Sequence, residues 1–187
     1  MRLQGKYLFS PKDEFNELEL SNFASVVDAF ERRIQGWFLN PIRQLLENDS
    51  NLFVITATEC MIVDALSGFF YGLERDTMKA DFIDFLSEEV GIQRIVAKEF
   101  YDRFRCGIIH QASIKKRSSI SKEVDDIYLQ DDGILFFNPE GFFRKLGDYS
   151  KVYIGRLRSD KETQKNFKKR FKHLFNEEFS RDKWKHW

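Results

Sequence analysis

Histidine and cysteine are scarce in this chain, and neither recurs at the spacing that metals require. His110, His173 and His186 have no Cys or His neighbour at ligand spacing, which argues against a structural zinc. Cys60 and Cys106 are the only cysteines, and each falls inside an apolar helical pattern. That excludes a disulfide framework and points to a reducing compartment. The glycine-rich phosphate loop G-x-x-x-x-G-K-S/T is missing, as are the G-x-S-x-G nucleophile elbow and any aromatic-interleaved RNA motif. Met1 to Lys6 lack the apolar core of a secretory signal. The longest apolar stretch, Leu52 to Leu73, carries Glu59 and Asp64. It therefore reads as a buried core helix rather than a membrane span. No repeat or low-complexity tract interrupts the chain. A cytoplasmic protein without a cofactor is expected.

What is abundant is phenylalanine. Twenty Phe in 187 residues imply a large core or a buried subunit interface, because Phe is a pure packing residue. The length suits one domain. Net charge is zero, but its distribution is uneven. Residues 1–93 carry a net −8 and residues 94–117 a net +5. Residues 118–155 carry −3 and residues 156–187 carry +6. Two basic segments are thus hidden by a neutral total, and local positive charge is what an anionic partner meets. The alternative is that acidic and basic parts pair with each other.

Apolar periodicity predicts a mainly helical protein. Lys6 to Phe9 read as a short strand or an extended arm. Ser21-Asn22 cap a helix with Phe23, Val26, Val27, Phe30, Ile34, Trp37 and Phe38 on its apolar positions, and Asn40-Pro41 breaks or kinks it. A helix over about 52–72 is apolar on nearly every face, so it is the central one. Amphipathic helices follow over 77–89 and about 92–109. Residues 118–123 read as a loop. Segments 126–130 and 134–137 flank Asp131-Asp132-Gly133, a hairpin signature. Asn138-Pro139 opens a helix, and a last, lysine-studded helix covers about 160–179. The tail is expected to be mobile unless Trp184 or Trp187 docks. The sum is an all-α, antiparallel up-and-down bundle with a small β-hairpin insertion over about 125–137 and C-terminal helices over about 139–180.

One stretch stands apart: Phe100-Tyr101-Asp102-Arg103-Phe104-Arg105-Cys106-Gly107-Ile108-Ile109-His110-Gln111. It sets an Arg and a His five residues apart at the end of a helix. Imidazole exchanges a proton near neutral pH, and the guanidinium fork fits a phosphate. Together they can bind or cut a phosphodiester without a metal. On a straight α-helix, residues five apart point roughly 140° away from each other. Either the helix is distorted, or it ends near Gly107, or a second subunit completes the site.

Arg, four residues, then His, late in a small helical protein, resembles the HEPN domain. The resemblance is clearest over about residues 20–115. It implies a metal-independent ribonuclease that acts as a homodimer and leaves 2′,3′-cyclic phosphate ends. His110 would be its acid/base, and Arg105 would hold the scissile phosphate. It also implies RNA as substrate and, for a toxin or phage-defence protein, an antitoxin as partner. Cys106 departs from the pattern, since that position usually holds a stronger hydrogen-bonding residue and a thiol bonds weakly. A catalytically silent module binding RNA, a nucleotide or a protein is the other reading. Glu59 and Asp64 are candidates to orient Arg105 or Arg103, as buried carboxylates need partners. Arg103, Lys115, Lys116 and Arg117 are candidates to hold RNA phosphates, the alternative being a solvated face.

Overall fold

The computed structural model of the chain describes every residue except Met1, Gln4, Lys116, Asp125, Asp126, Gln130, Asp131 and His186. Among the described residues the fold is all-α with a small β insertion. Strands β1 (Arg2–Leu3) and β2 (Lys6–Tyr7) pair antiparallel at the start. Helix α1 (Phe23–Ile34) runs through a π-helical turn (Gln35–Leu39) into α2 (Asn40–Leu45). Then come α3 (Leu52–Phe70), α4 (Lys79–Glu88) and α5 (Arg94–Phe100). A second π-helical turn (Tyr101–Arg105) joins α5 to α6 (Cys106–Gln111). Strands β3 (Ser118–Ile120), β4 (Tyr128–Leu129) and β5 (Leu135–Phe137) follow. Helices α7 (Pro139–Ser159), α8 (Lys161–Phe175) and α9 (Arg181–Trp184) end the chain.

Backbone contacts divide the chain into two compact units. One holds residues 1–41, 69–76 and 151–187; the other holds 42–68 and 77–150. Each has its own phenylalanine core, which is where the Phe excess is spent. In the first, Phe30, Phe69 and Phe167 pack ring on ring at 4.7–5.1 Å between centroids. Phe9, Phe15, Phe171 and Phe175 form a neighbouring set. The tail docks here. The Trp187 indole N–H donates to the Lys168 carbonyl at 3.0 Å, and its ring lies 4.9 Å from Phe171. In the second unit, Phe100 is fully buried among Phe82, Phe104, Phe137 and Phe142.

Proline reshapes the first long helix rather than ending it. Its ring cannot sit in an ordinary turn without striking the carbonyl four residues back. The five residues before Asn40-Pro41 widen into the π turn, and the Asn40 N–H reaches the Gln35 carbonyl. Gly36 within that turn is needed for space, because a Cβ there would lie 2.5 Å from the Pro11 ring.

The first half of the expected loop over residues 118–123 is a strand, while residues 121–123 are irregular as expected. Ser118–Ile120 pair in parallel with Leu135–Phe137, Ser119 opposite Phe136. Two serines carry no strand signal of their own. The pairing exists because β5, fixed by buried Leu135 and Phe137, offers an open edge. Its other edge carries the expected hairpin, Tyr128 opposite Phe136 and Leu129 opposite Leu135. Gly133 supplies the positive φ of +80°. Asp126, Gln130 and Asp131 of that hairpin signature lie outside the described residues, as does His186.

Helix α3 spans part of a 22-residue stretch, Asp49–Phe70, long and apolar enough by composition to cross a membrane. Its residues Ile55, Ile62, Val63 and Leu66 are nonetheless fully packed in protein.

Candidate functional site

The Arg–His segment forms one helix from Arg94 to Gln111 with the π turn at its middle. In that turn the Cys106 N–H reaches back five residues to the Tyr101 carbonyl. Such single wide turns recur at functional sites, since they re-aim side chains that a regular helix would splay apart. Here the re-aimed side chain is Arg105. Its Nη1 lies 3.5 Å from His110 Nε2 within one chain. That is the outer limit of a hydrogen bond. Of the three ways to bring residues five apart together, a distorted helix is the one observed.

Asp64 on α3 sets the orientation of Arg105. Arg105 Nε and Nη2 both donate to Asp64 Oδ2, at 3.2 and 3.1 Å. The pair is sheltered, with side-chain exposures of 17% for Arg105 and 25% for Asp64. One edge of the fork is therefore taken by Asp64, and the Nη1 end is left facing His110, which is exposed. Burial pushes the Asp64 carboxyl above the ordinary Asp range, with the Arg105 charge pulling the other way. The Tyr101 ring completes the setting, its centroid 5.4 Å from the Arg105 guanidinium carbon. Burial raises the Tyr101 phenol too.

Helix α6 ends in a tight reversal that keeps His110 at the surface. Ala112 takes the left-handed conformation at φ 49°. Its N–H meets the Ile108 carbonyl at 3.0 Å, and the Ser113 N–H meets the Gly107 carbonyl at 3.3 Å. Gly107 has to be glycine, since a Cβ would strike the Ser113 carbonyl oxygen.

The other candidate residues separate. Glu59 is fully buried and does not meet Arg105 or Arg103; among the described residues its two carboxyl oxygens have no hydrogen-bond partner. Burial alone drives its carboxyl well above the usual range, which favours the protonated form. Cys60 beside it is buried, its thiol pushed up chiefly by burial. Arg103 turns away from the Arg105–His110 pair. Its Nε donates to Glu99 Oε2 at 2.7 Å, and its Nη1 donates to the Arg117 and Gly133 carbonyls, both at 2.7 Å. It is a clamp between the helix and the β insertion. Lys115 and Arg117 are exposed on the rim of an open cleft of about 680 Å³ lined also by Asp102, Gln111 and Ile114. Arg117 Nη1 donates to the Asp132 carbonyl at 3.3 Å. Lys116 lies outside the described residues. Among the described residues, no three His, Cys, Asp or Glu side chains converge as a metal ion would require.

Sequence patterns did not single out Tyr101 or Lys79. Tyr101 is four residues before Arg105, the spacing at which helix side chains meet, so a signal was present. Lys79 had none. It reaches the site only through tertiary packing, donating to Asp102 Oδ1 and Oδ2 at 2.5 and 2.6 Å.

Comparison with protein-family models, with curated proteins and with solved structures finds no match to this chain.

Proposed function

We propose that the chain is a metal-independent endoribonuclease of HEPN type, acting in the cytoplasm as a homodimer. The observation that carries this reading is the exposed His110 ring 3.5 Å from a guanidinium whose other edge is anchored by Asp64. A phosphodiester at this point meets both groups. Arg105 Nη1 donates to a non-bridging oxygen and stabilises the charge that builds there. His110 Nε2 takes the 2′-hydroxyl proton as the 2′-oxygen attacks phosphorus. The 5′-oxygen leaves with a proton from an acid, for which a second copy's His110 is the natural source. The products are a 2′,3′-cyclic phosphate and a free 5′-hydroxyl.

Exposed apolar side chains support pairing of two copies. Met61 on α3 and Ile109 on α6 are each 46% exposed, in the same unit as the Arg105–His110 pair. By its resemblance to HEPN proteins, the chain belongs with toxins or phage-defence nucleases held in check by a protein antitoxin. A second reading, a silent module that binds RNA, a nucleotide or a protein, is favoured by Cys106. Its thiol is a weak donor and a weak acceptor at a position where the family pattern has a stronger hydrogen-bonding residue. RNA cleavage in excess chelator by the wild type and by His110→Ala separates the two. Cleavage by the wild type alone is expected; equal cleavage, or none by either, overturns the nuclease.

A further inference from the structure

Lys79 and Arg105 share one aromatic ring. The Lys79 ammonium lies 5.6 Å from the Tyr101 centroid and the Arg105 guanidinium carbon 5.4 Å from it. Two cations from different helices thus contact the same ring. Thr77 fixes the approach of α4, its hydroxyl donating at 2.9 Å to the backbone carbonyl of Asp64, the residue that orients Arg105.

The two cations are held differently. Arg105 is paired in a sheltered place, where losing its carboxylate leaves a charge poorly solvated. Lys79 is paired in the open: its side chain is 43% exposed and that of Asp102 36%. An exposed pair contributes little to stability, so a stronger anion displaces the carboxylate readily. Lys79 also sits at the first position of α4, where the helix dipole already disfavours a cation. An anion arriving there is attracted both by the ammonium and by the helix end. Asp102, the partner of Lys79, in turn lines the open cleft with Gln111, Lys115 and Arg117.

We infer that Lys79 is a second phosphate-binding residue, which an RNA backbone takes over from Asp102 when it binds. The inference rests on the reading that Arg105 and His110 engage an RNA phosphodiester, and it adds the neighbouring phosphate. Single-stranded RNA is the substrate class that fits, because one strand presents successive phosphates along one edge while its bases stay free. Tyr101 is a positioning residue that sets the spacing of the two cations. Asp102 is a competitor for the lysine, so it opposes binding.

The test is binding of a 2′-O-methylated single-stranded RNA, which cannot be cut, to the full chain over a range of salt concentrations. Lys79→Ala is expected to weaken binding at least fivefold and to lower the slope of log affinity against log salt by about 0.7, one phosphate contact. Lys79→Arg is expected to restore the slope. Asp102→Asn is expected to tighten binding at least twofold, a direction that a merely structural ion pair does not produce. Circular dichroism checks that each variant is folded. Unchanged affinity in both Lys79→Ala and Asp102→Asn, or no binding by the wild type, overturns the inference. Chelator-resistant cleavage that depends on His110 then still stands or falls separately.

Discussion

Asp64 and Arg105 are joined through a single carboxylate oxygen, Oδ2, which accepts from both Nε and Nη2 of the guanidinium. The pairing leaves Nη1 pointing at His110. An arginine has several long rotamers, and a free one would sample many. The carboxylate selects the one that faces the imidazole.

Asp64→Asn keeps the shape but removes the charge that holds Arg105. A displacement of about 1 Å at a reacting group costs up to about a hundredfold in rate. Cleavage of RNA under single-turnover, saturating conditions is expected to fall by about tenfold to a hundredfold, with the folded state retained by circular dichroism. Wild-type cleavage by a folded Asp64→Asn protein contradicts the orienting role.

Glu59 makes stability depend on pH with a definite sign. Its folded-state carboxyl is raised by burial above its unfolded value. Below the ordinary Glu range both states hold the proton and nothing is lost. As pH rises through that range the unfolded chain releases the proton while the folded chain retains it, so stability falls. Glu59→Met removes this slope and fills the site with an apolar side chain. The thermal midpoint is expected to rise at pH 8 by about 2–4 °C for each 1 kcal/mol recovered, and to rise less at pH 5. A larger gain at pH 5 than at pH 8 counts against a buried neutral acid.

Met61 and Ile109 test the pairing of copies. A charge placed in a subunit interface must be desolvated without a partner, which costs several kcal/mol. Met61→Lys and Ile109→Lys are each expected to give a monomer by sedimentation velocity and to lose cleavage along with the dimer. If either variant remains dimeric with full activity, this face is not the contact.

The helices were legible because their causes are local. The apolar spacing of α1 and the Asn138-Pro139 start of α7 each arise within a few residues of chain. The Arg105–His110 pair was legible as a string, and so was the conflict between its spacing and a straight helix. The π turn that resolves the conflict was not legible, because widening one turn depends on what surrounds the helix. The choice between Glu59 and Asp64 was likewise hidden. Both are carboxylates on one helix, and only the position of α5–α6 against α3 decides which meets Arg105. Strand β3 had no signal in Ser118-Ser119, since its cause is the open edge of β5.

The amino-acid order by itself determined a helical chain with phenylalanine cores, a hairpin turned by Gly133 and an Arg and a His placed late on one helix. Periodicity, caps and turn residues act over a few residues and need no partner. Tertiary structure alone decided that Asp64 holds Arg105, that Arg103 is spent on backbone carbonyls, and that Lys79 stands beside Tyr101. Those outcomes depend on which side chains from distant segments come within hydrogen-bond reach and how far water is kept from them.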